Sequence, residues 1–494
     1  MPVPVLNIAQ MREWERATWA TGQTEAEVIH RVGKKIAERA LELTRPGDAI
    51  LILAGKGHNG DDARAAREHL GERNVETLDV TAPEKDLSKL EAALHSKPSL
   101  AIDGLFGIGL DRPLDDGWKK FIQRVNESRV AVLAVDVPSG LNADTGKPAS
   151  RDAAIKAAIT LTIGAPKIGL LAQNAWPFVG RLEVADDVGL VSCPHTTELN
   201  WTLPEDFAGF PPRRAVESHK GSFGHLVIIA GSLGFHGAAV LAARAAQRAQ
   251  PGLITLFTQE VTYRPVAEQL QAVMVNIWKP EMKLPASASA ILIGPGLAAP
   301  EIAEEMKTFT RQLWRDSELP VIVDASALDW LAPHALPKTA IRVITPHPGE
   351  AARLLNTTAK EVQANRPQAL WGISKRFGDC WVVLKGYQTL MGRGMGLRSD
   401  ASAGASSTQA GEIFVNPSGN PHLAQGGSGD VLAGFIGGLL AQPTLQANVG
   451  KTIRFAVWRH GMAADALQAA RTNWVVEDLV AELGEAGGES NACV

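Results

Sequence analysis

A chain of 494 residues, 45% hydrophobic and 21% charged, has room for two or more domains, each with a core of its own. A formal net charge of −4, with no basic tract or basic–aromatic stripe, excludes a nucleic-acid footprint and charge-driven membrane attachment. No run approaches the roughly 20 apolar residues of a membrane span, and Cys193, Cys380 and Cys493 are too far apart for metal-ligand spacing.

Scattered thiols point to a reducing cytoplasm. The opening Met1-Pro-Val-Pro-Val-Leu-Asn-Ile8 is neither a cationic nor a long apolar leader, and Met11-Arg-Glu-Trp-Glu-Arg16 is too acidic for a transit peptide.

Short strands then alternate with helical segments in two series. The first comprises Ala49–Ala54, Val75–Val80, Leu100–Asp103, Val130–Val135 and Ala158–Thr162. Runs apolar throughout and separated by helices read as parallel strands buried on both faces. After Pro194-His-Thr-Thr-Glu198, the Pro- and Arg-containing stretch Phe210-Pro-Pro-Arg-Arg214 reads as a linker. The second series comprises Leu226–Ala230, Leu253–Phe257, Ala290–Ile293, Val321–Asp324, Arg342–Ile344 and Trp381–Leu384. The expected architecture is α/β, with domains over 1–211 and 212–494. Met391–Glu412, rich in Gly, Ser and Ala, reads as a mobile loop.

In the first series Gly55-Lys-Gly57-His-Asn-Gly60 follows a strand and opens a helix, as in the dinucleotide fingerprint, and Asp79 lies near the end of the next strand, where a ribose-binding acid would sit. The polar cluster His58-Asn-Gly-Asp-Asp62 is foreign to that fingerprint and suits contact with a ligand or cation. Asp103 precedes Leu105-Phe-Gly-Ile-Gly-Leu-Asp-Arg112, and Asp136 precedes Val137-Pro-Ser139-Gly140. Strand-end loops of this kind converge at the carboxyl edge of a parallel sheet. Alternatively, the two acids only cap loops.

In the second series Gly426-Gly-Ser-Gly-Asp430 runs into the apolar stretch Val431–Leu440. A glycine loop at a helix start offers free backbone N–H groups and a positive dipole to a phosphate, and an acid there can take a proton from a hydroxyl. The bland alternative is a turn in which Asp430 merely caps the helix.

Further motifs are His219-Lys-Gly221, Ile229-Ala-Gly-Ser232, Gly237-Ala-Ala239, Ile293-Gly-Pro-Gly-Leu297, Thr345-Pro-His-Pro-Gly-Glu350, Lys385-Gly-Tyr-Gln-Thr389 and Asn416-Pro-Ser-Gly-Asn-Pro421. With these the chain resembles the bifunctional NAD(P)H-hydrate repair enzymes from Met11 to beyond Asp465. That family joins a Rossmann-like epimerase domain to a ribokinase-like, ADP-dependent dehydratase domain.

The resemblance implies that the first domain interconverts the R and S hydrates of NADH and NADPH. The second would dehydrate the S form at the expense of ADP, releasing NAD(P)H, AMP and phosphate. It implies Asp430 as base, with Gly429 cradling phosphoryl oxygens and Lys385, Gly386, Tyr387, Gln388 and Thr389 contacting the nucleotide. Ala238, Gly296 and His347 would face the hydrate, and Glu350 would orient magnesium through water. In the first domain Asp136 would bind substrate and act as acid/base, and Asn59, Asp103 and Ser139 would ligate potassium. His58, Asn59, Gly60, Asp61 and Asp62, with Gly107, Ile108, Gly109, Leu110, Asp111, Arg112 and Pro113, would form the substrate loops. Small-molecule partners and a homo-oligomer are expected.

The chain departs from the family's usual Asn-Asn-Gly-Gly-Asp-Gly. Asp61 adds bulk and charge where glycine permits close approach, and Ala63 removes a second glycine. The rival reading is a ribokinase-like small-molecule kinase whose N-terminal domain is a non-catalytic binding module.

Overall fold

A computed structural model describes residues 3–110, 112–150, 153–334, 336, 340–394 and 411–485. They form two compact units, one ending at Trp201 and the other starting at Thr202.

The first unit contains β1 (Val3–Pro4), β2 (Ala49–Ala54), β3 (Asn74–Asp79), β4 (Leu100–Gly104), β5 (Ala131–Val135), β6 (Ile159–Ile163), β7 (Arg181–Ala185) and β8 (Leu199–Trp201). β1 and β8 form an antiparallel ribbon. The other six make a parallel sheet in the order β3-β2-β4-β5-β6-β7. The apolar runs face both ways: Ile50, Ile52 and Ala54 pack with helix Glu25–Leu43 on one side, Leu51 and Leu53 with helix Asp116–Ser128 on the other. Strand order reverses between β2 and β4, so the helices leave on opposite faces there and a crevice opens at the carboxyl edge.

The second unit contains β9 (His225–Ile229), β10 (Leu253–Thr258), β11 (Met274–Ile277), β12 (Ala290–Ile293), β13 (Val321–Val323), β14 (Arg342–Ile344), β15 (Trp381–Leu384), β16 (Leu390–Gly392) and β17 (Ile413–Val415). Their order is β17-β16-β15-β14-β13-β12-β9-β10-β11, parallel from β15 to β11 and antiparallel across β15–β17. Against this sheet lies helix Ser428–Leu440, buried along nearly its whole length.

The division between units precedes the linker expected near 212. Thr202 donates its N–H to Val415 O, and Phe207 meets Phe455 edge to face at 5.5 Å and lies tilted against Trp458 at 5.1 Å. Asp206 pairs with Arg454. These anchors hold 202–210 to the second unit. The stretch read as a mobile loop starts within β16 and ends just before β17; 395–410 lie outside the described residues. No helix among the described residues is long and apolar enough to cross a membrane.

Candidate active sites

At the carboxyl edge of the first sheet lies a crevice of about 560 Å³. His58, Asn59, Asp62, Gly107, Ile108, Gly109, Leu110, Arg112 and Asp136 border it, as the sequence suggested, together with Glu15 and Lys167, which it did not. Of the other expected loop residues, Gly60, Asp61 and the exposed Pro113 are not on that border, and Asp111 lies outside the described residues.

Asp103 and Ser139 are fully buried at the strand ends. Ser139 donates its Oγ–H to Asp103 Oδ1 at 2.6 Å and its N–H to Oδ2 at 2.9 Å. Phe106 N–H donates to Ser139 Oγ at 2.9 Å, and Asn59 Nδ2 donates to Phe106 O at 2.9 Å. Asn59 and Ser139 thus meet at the Phe106 backbone, and Asp103 joins them through Ser139. Burial pushes the Asp103 carboxyl up to about 6 against the hydrogen bonds from Ser139 and Leu105. Among the described residues Asp103 has no cationic partner, and a buried carboxylate amid hard oxygens fits an alkali cation.

Asp136 sits at φ 65°, a left-handed turn that carries its carboxylate to the crevice. It accepts from Ile163 N–H at 3.1 Å and pairs with Lys167, whose side chain is 1% exposed. Lys167 Nζ also donates to Ile163 O at 2.9 Å and Thr162 Oγ1 at 3.0 Å, which fixes the ammonium. Burial, then the charge of Asp136, raises both Glu15 and Asp62, and Asp62 rises well above the carboxylate range. Lys167 stands alone between Pro166 and the apolar Ile168-Gly-Leu-Leu171 just after a strand, and that isolation was the available signal.

The altered loop is accommodated. A Cβ on Gly60 would lie 2.2 Å from Gly55 O, so the close approach belongs to Gly60, which is retained. Asp61 turns to Arg64, at 2.8 Å. The same guanidinium binds Asp79 at 2.7 Å and Gly55 O at 2.7 Å. Asp79 is therefore committed to Arg64 and is not a free ribose ligand. Ala63 is buried, and its Cβ packs where Gly104 leaves room.

In the second unit Gly427, at φ 95°, sets the start of helix Ser428–Leu440, with Asp430 in its first turn. A Cβ on Gly429 would lie 3.2 Å from Lys385 Nζ, so the ammonium sits against the loop backbone. Lys385 Nζ binds Asp324 at 2.9 Å and lies 3.9 Å from Glu350. Burial opposes its charge, but Asp324 and Glu350 outweigh that and raise it. Burial, then the charge of Asp324, pushes Asp430 up to about 7; Lys385 pulls it down and Glu350 adds to the rise. Asp324 is locked by Thr345 Oγ1 at 2.6 Å. In the sequence Asp324 closes the run Val321–Asp324 and carries no other signal.

His347 caps helix Pro348–Leu355: its Nδ1 accepts from Gly349 N–H at 3.0 Å, and Glu350 accepts from His347 N–H at 2.8 Å. With Nδ1 an acceptor, Nε2 carries the proton. Gly386 (φ 134°) and Gln388 (φ 52°) shape the turn that bears Tyr387. Buried Arg366 holds that turn, donating to Leu384 O at 3.0 Å, Gln388 O at 3.2 Å and Tyr387 O. Thr389 Oγ1 closes it on Gly386 O at 3.1 Å. Gly296 and Ala238 come together, since a Cβ on Gly296 would stand 2.9 Å from Ala238 Cβ. Buried His460 binds Ser428 O at 3.1 Å, and burial lowers it to about 4, so it is neutral and fixes the loop. Neither Arg366 nor His460 carried a sequence signal, because each acts across the fold from within a helix.

A family model described as NAD(P)H-hydrate dehydratase matches residues 226–485, and one described as YjeF-related protein N-terminus matches 76–169. Three relatives carry the name bifunctional NAD(P)H-hydrate repair enzyme Nnr. That of Coxiella burnetii is 32% identical, over 92% of this chain and 93% of its own. That of Gloeobacter violaceus is 32% identical, over 95% and 94%, and that of Escherichia coli 31%, over 95% and 90%. A crystal structure of an ADP/ATP-dependent NAD(P)H-hydrate dehydratase from Bacillus subtilis is 29% identical, over 55% of this chain and 91% of its own, with a TM-score of 0.46.

Proposed function

This chain belongs to the bifunctional NAD(P)H-hydrate repair enzymes, with epimerase and dehydratase activities, and we propose that Asp430 and Asp136 carry its two reactions. One observation carries the dehydratase reading: Asp430 stands in the first turn of a buried helix whose glycine loop lies against Lys385. In this reading the terminal phosphate of ADP rests on the loop N–H groups and Lys385. Asp430 takes the proton of the ring hydroxyl as its oxygen attacks phosphorus, and AMP leaves. Elimination of the resulting phosphate together with a proton from the adjacent ring carbon restores the ring double bond and the reduced nicotinamide. A carboxyl poised near 7 suits a general base at neutral pH.

Glu350 and Asp324 would hold magnesium, which offsets phosphate charge when bound. His347, Ala238 and Gly296 would face the hydrate, and Arg366 would keep the 385–389 turn shaped for the nucleotide.

In the first unit Asp136 would exchange protons with the hydrate, with Lys167 holding its orientation. Asn59, Asp103 and Ser139 would hold potassium, which would neutralise the buried Asp103 when bound. The Asp61–Arg64 pair removes the charge conflict that Asp61 would otherwise pose to a pyrophosphate. The kinase reading accounts for Gly429 and Asp430 but leaves the Asp136–Lys167 pair and the oxygen cluster around Phe106 without a task. Incubation with hydrated NADH and ADP tests the assignment: the absorbance of reduced nicotinamide should return, and no return with either nucleoside diphosphate or triphosphate refutes it.

A further inference from the structure

The first unit carries a second constellation, away from its crevice. His30 lies on helix Glu25–Leu43, and Glu68 and His69 lie on the 3-10 turn Arg67–His69 that continues helix His58–Ala66. One ligand atom from each of the three falls within 4.8 Å of the others. None of them borders the 560 Å³ crevice.

Their meeting follows from close packing of the two helices. A Cβ on Gly33 would stand 2.6 Å from Ala65 Cβ and 2.9 Å from Ala66 N, so the backbones touch there. His30 is one turn before Gly33, and His69 is three residues beyond Ala66. The contact therefore brings the two imidazoles edge to face, with centroids 4.9 Å apart. Nε2 of His69 is buried and has no hydrogen-bond partner among the described residues, a state that buried polar atoms rarely occupy. His30 and Glu68 are exposed, so an ion can reach the group from solvent.

We propose that His30, Glu68 and His69 form a binding site for a divalent transition metal ion of the zinc class. Two imidazoles and a carboxylate are a standard donor set for Zn²⁺, with water in the fourth position. Bonds of roughly 2.0–2.2 Å place tetrahedral ligand atoms about 3.3 Å apart. Such an ion would tie the 67–69 turn to the long helix and give His69 Nε2 a partner.

The test uses full-length protein stripped with chelator and titrated with Zn²⁺ by calorimetry, alongside thermal melts. Wild type should take up one Zn²⁺ per chain at this site and melt at higher temperature with it. His30→Gln and His69→Gln should each weaken binding by about tenfold or more, since loss of a ligand costs at least as much as loss of a supporting partner. Glu68→Gln should weaken it less. Absence of saturable binding in wild type overturns the proposal, as does binding unchanged in both histidine variants. If a variant fails to fold, the Co²⁺ form of wild type decides. Visible bands of a tetrahedral nitrogen and oxygen site support the proposal, and thiolate charge-transfer bands, or no bands, overturn it.

Discussion

Replacing Asp430 with Asn tests the dehydratase assignment by two independent readouts. The amide keeps the shape of the side chain but cannot take the hydroxyl proton, so turnover should fall by roughly 10²–10⁴-fold with nucleotide binding largely intact. In the wild-type enzyme the carboxyl titrates at about 7. About a tenth of it is ionised at pH 6 and about nine tenths at pH 8, so kcat/KM should rise nearly tenfold between them.

The same group makes stability pH-dependent, with a sign opposite to that of a salt-bridged carboxylate. Its ordinary value is 3.8 and its folded value about 7. Between these the folded protein keeps a proton that the unfolded chain has released, so stability falls as pH rises through this window. Allowing for the solvent that reaches a partly exposed side chain, the loss above pH 7 is on the order of 2–4 kcal/mol. Asp430→Asn removes that loss. The variant should melt higher than wild type at pH 8 and no higher near pH 4. Return of nicotinamide absorbance from pure S hydrate and ADP, followed across pH, gives the rate, and calorimetric melts give the stability. Near-wild-type turnover in the variant, or a wild-type profile flat from pH 6 to 8, refutes the reasoning.

Asp324→Asn removes a charge that raises Asp430 and frees Lys385 to interact with it, so the acid limb of the rate profile should move to lower pH; an unmoved limb refutes this. Lys167→Met leaves the Asp136 carboxylate buried without its partner, which costs about 3–5 kcal/mol. The variant should lose epimerisation while still dehydrating pure S hydrate, and retained epimerisation excludes Lys167. Supplied with both epimers, wild type should consume them faster than spontaneous epimerisation allows, whereas Asp136→Ala should pause once the S form is gone; a pause in wild type excludes an active epimerase. A fragment starting at Thr202 should fold and dehydrate S hydrate by itself, and one starting at Arg213, lacking the Phe207 and Asp206 anchors, should melt lower. Equal melting of the two fragments would dismiss those anchors.

Both parallel sheets were legible in the sequence because strands buried on two faces must be apolar throughout, and Ala49–Ala54 and Ala290–Ile293 match the structure residue for residue. Among the strands that escaped notice, Arg181–Ala185 and Met274–Ile277 lie at sheet edges, where polar and half-exposed residues interrupt the apolar signal, whereas Leu390–Gly392 and Ile413–Val415 are three-residue strands flanking the stretch read as a loop, too short to show a period. Asp103, Asp136 and Asp430 were legible because strand ends and glycine loops are local features.

Their electrostatic partners were not. Lys167 reaches Asp136 from 31 residues away and Lys385 reaches Asp324 from 61, contacts that exist only once neighbouring strands are registered. The sequence alone thus determined the α/β layering, the family and the acids at the strand ends. Tertiary structure decided that Asp136 meets Lys167 and Asp324 meets Lys385, that Asp61 turns to Arg64, and that 202–210 belong to the second unit. Layering and strand-end loops follow from local apolar period and turn chemistry, whereas a charge's partner and ionisation follow from burial and distance, which no linear spacing contains.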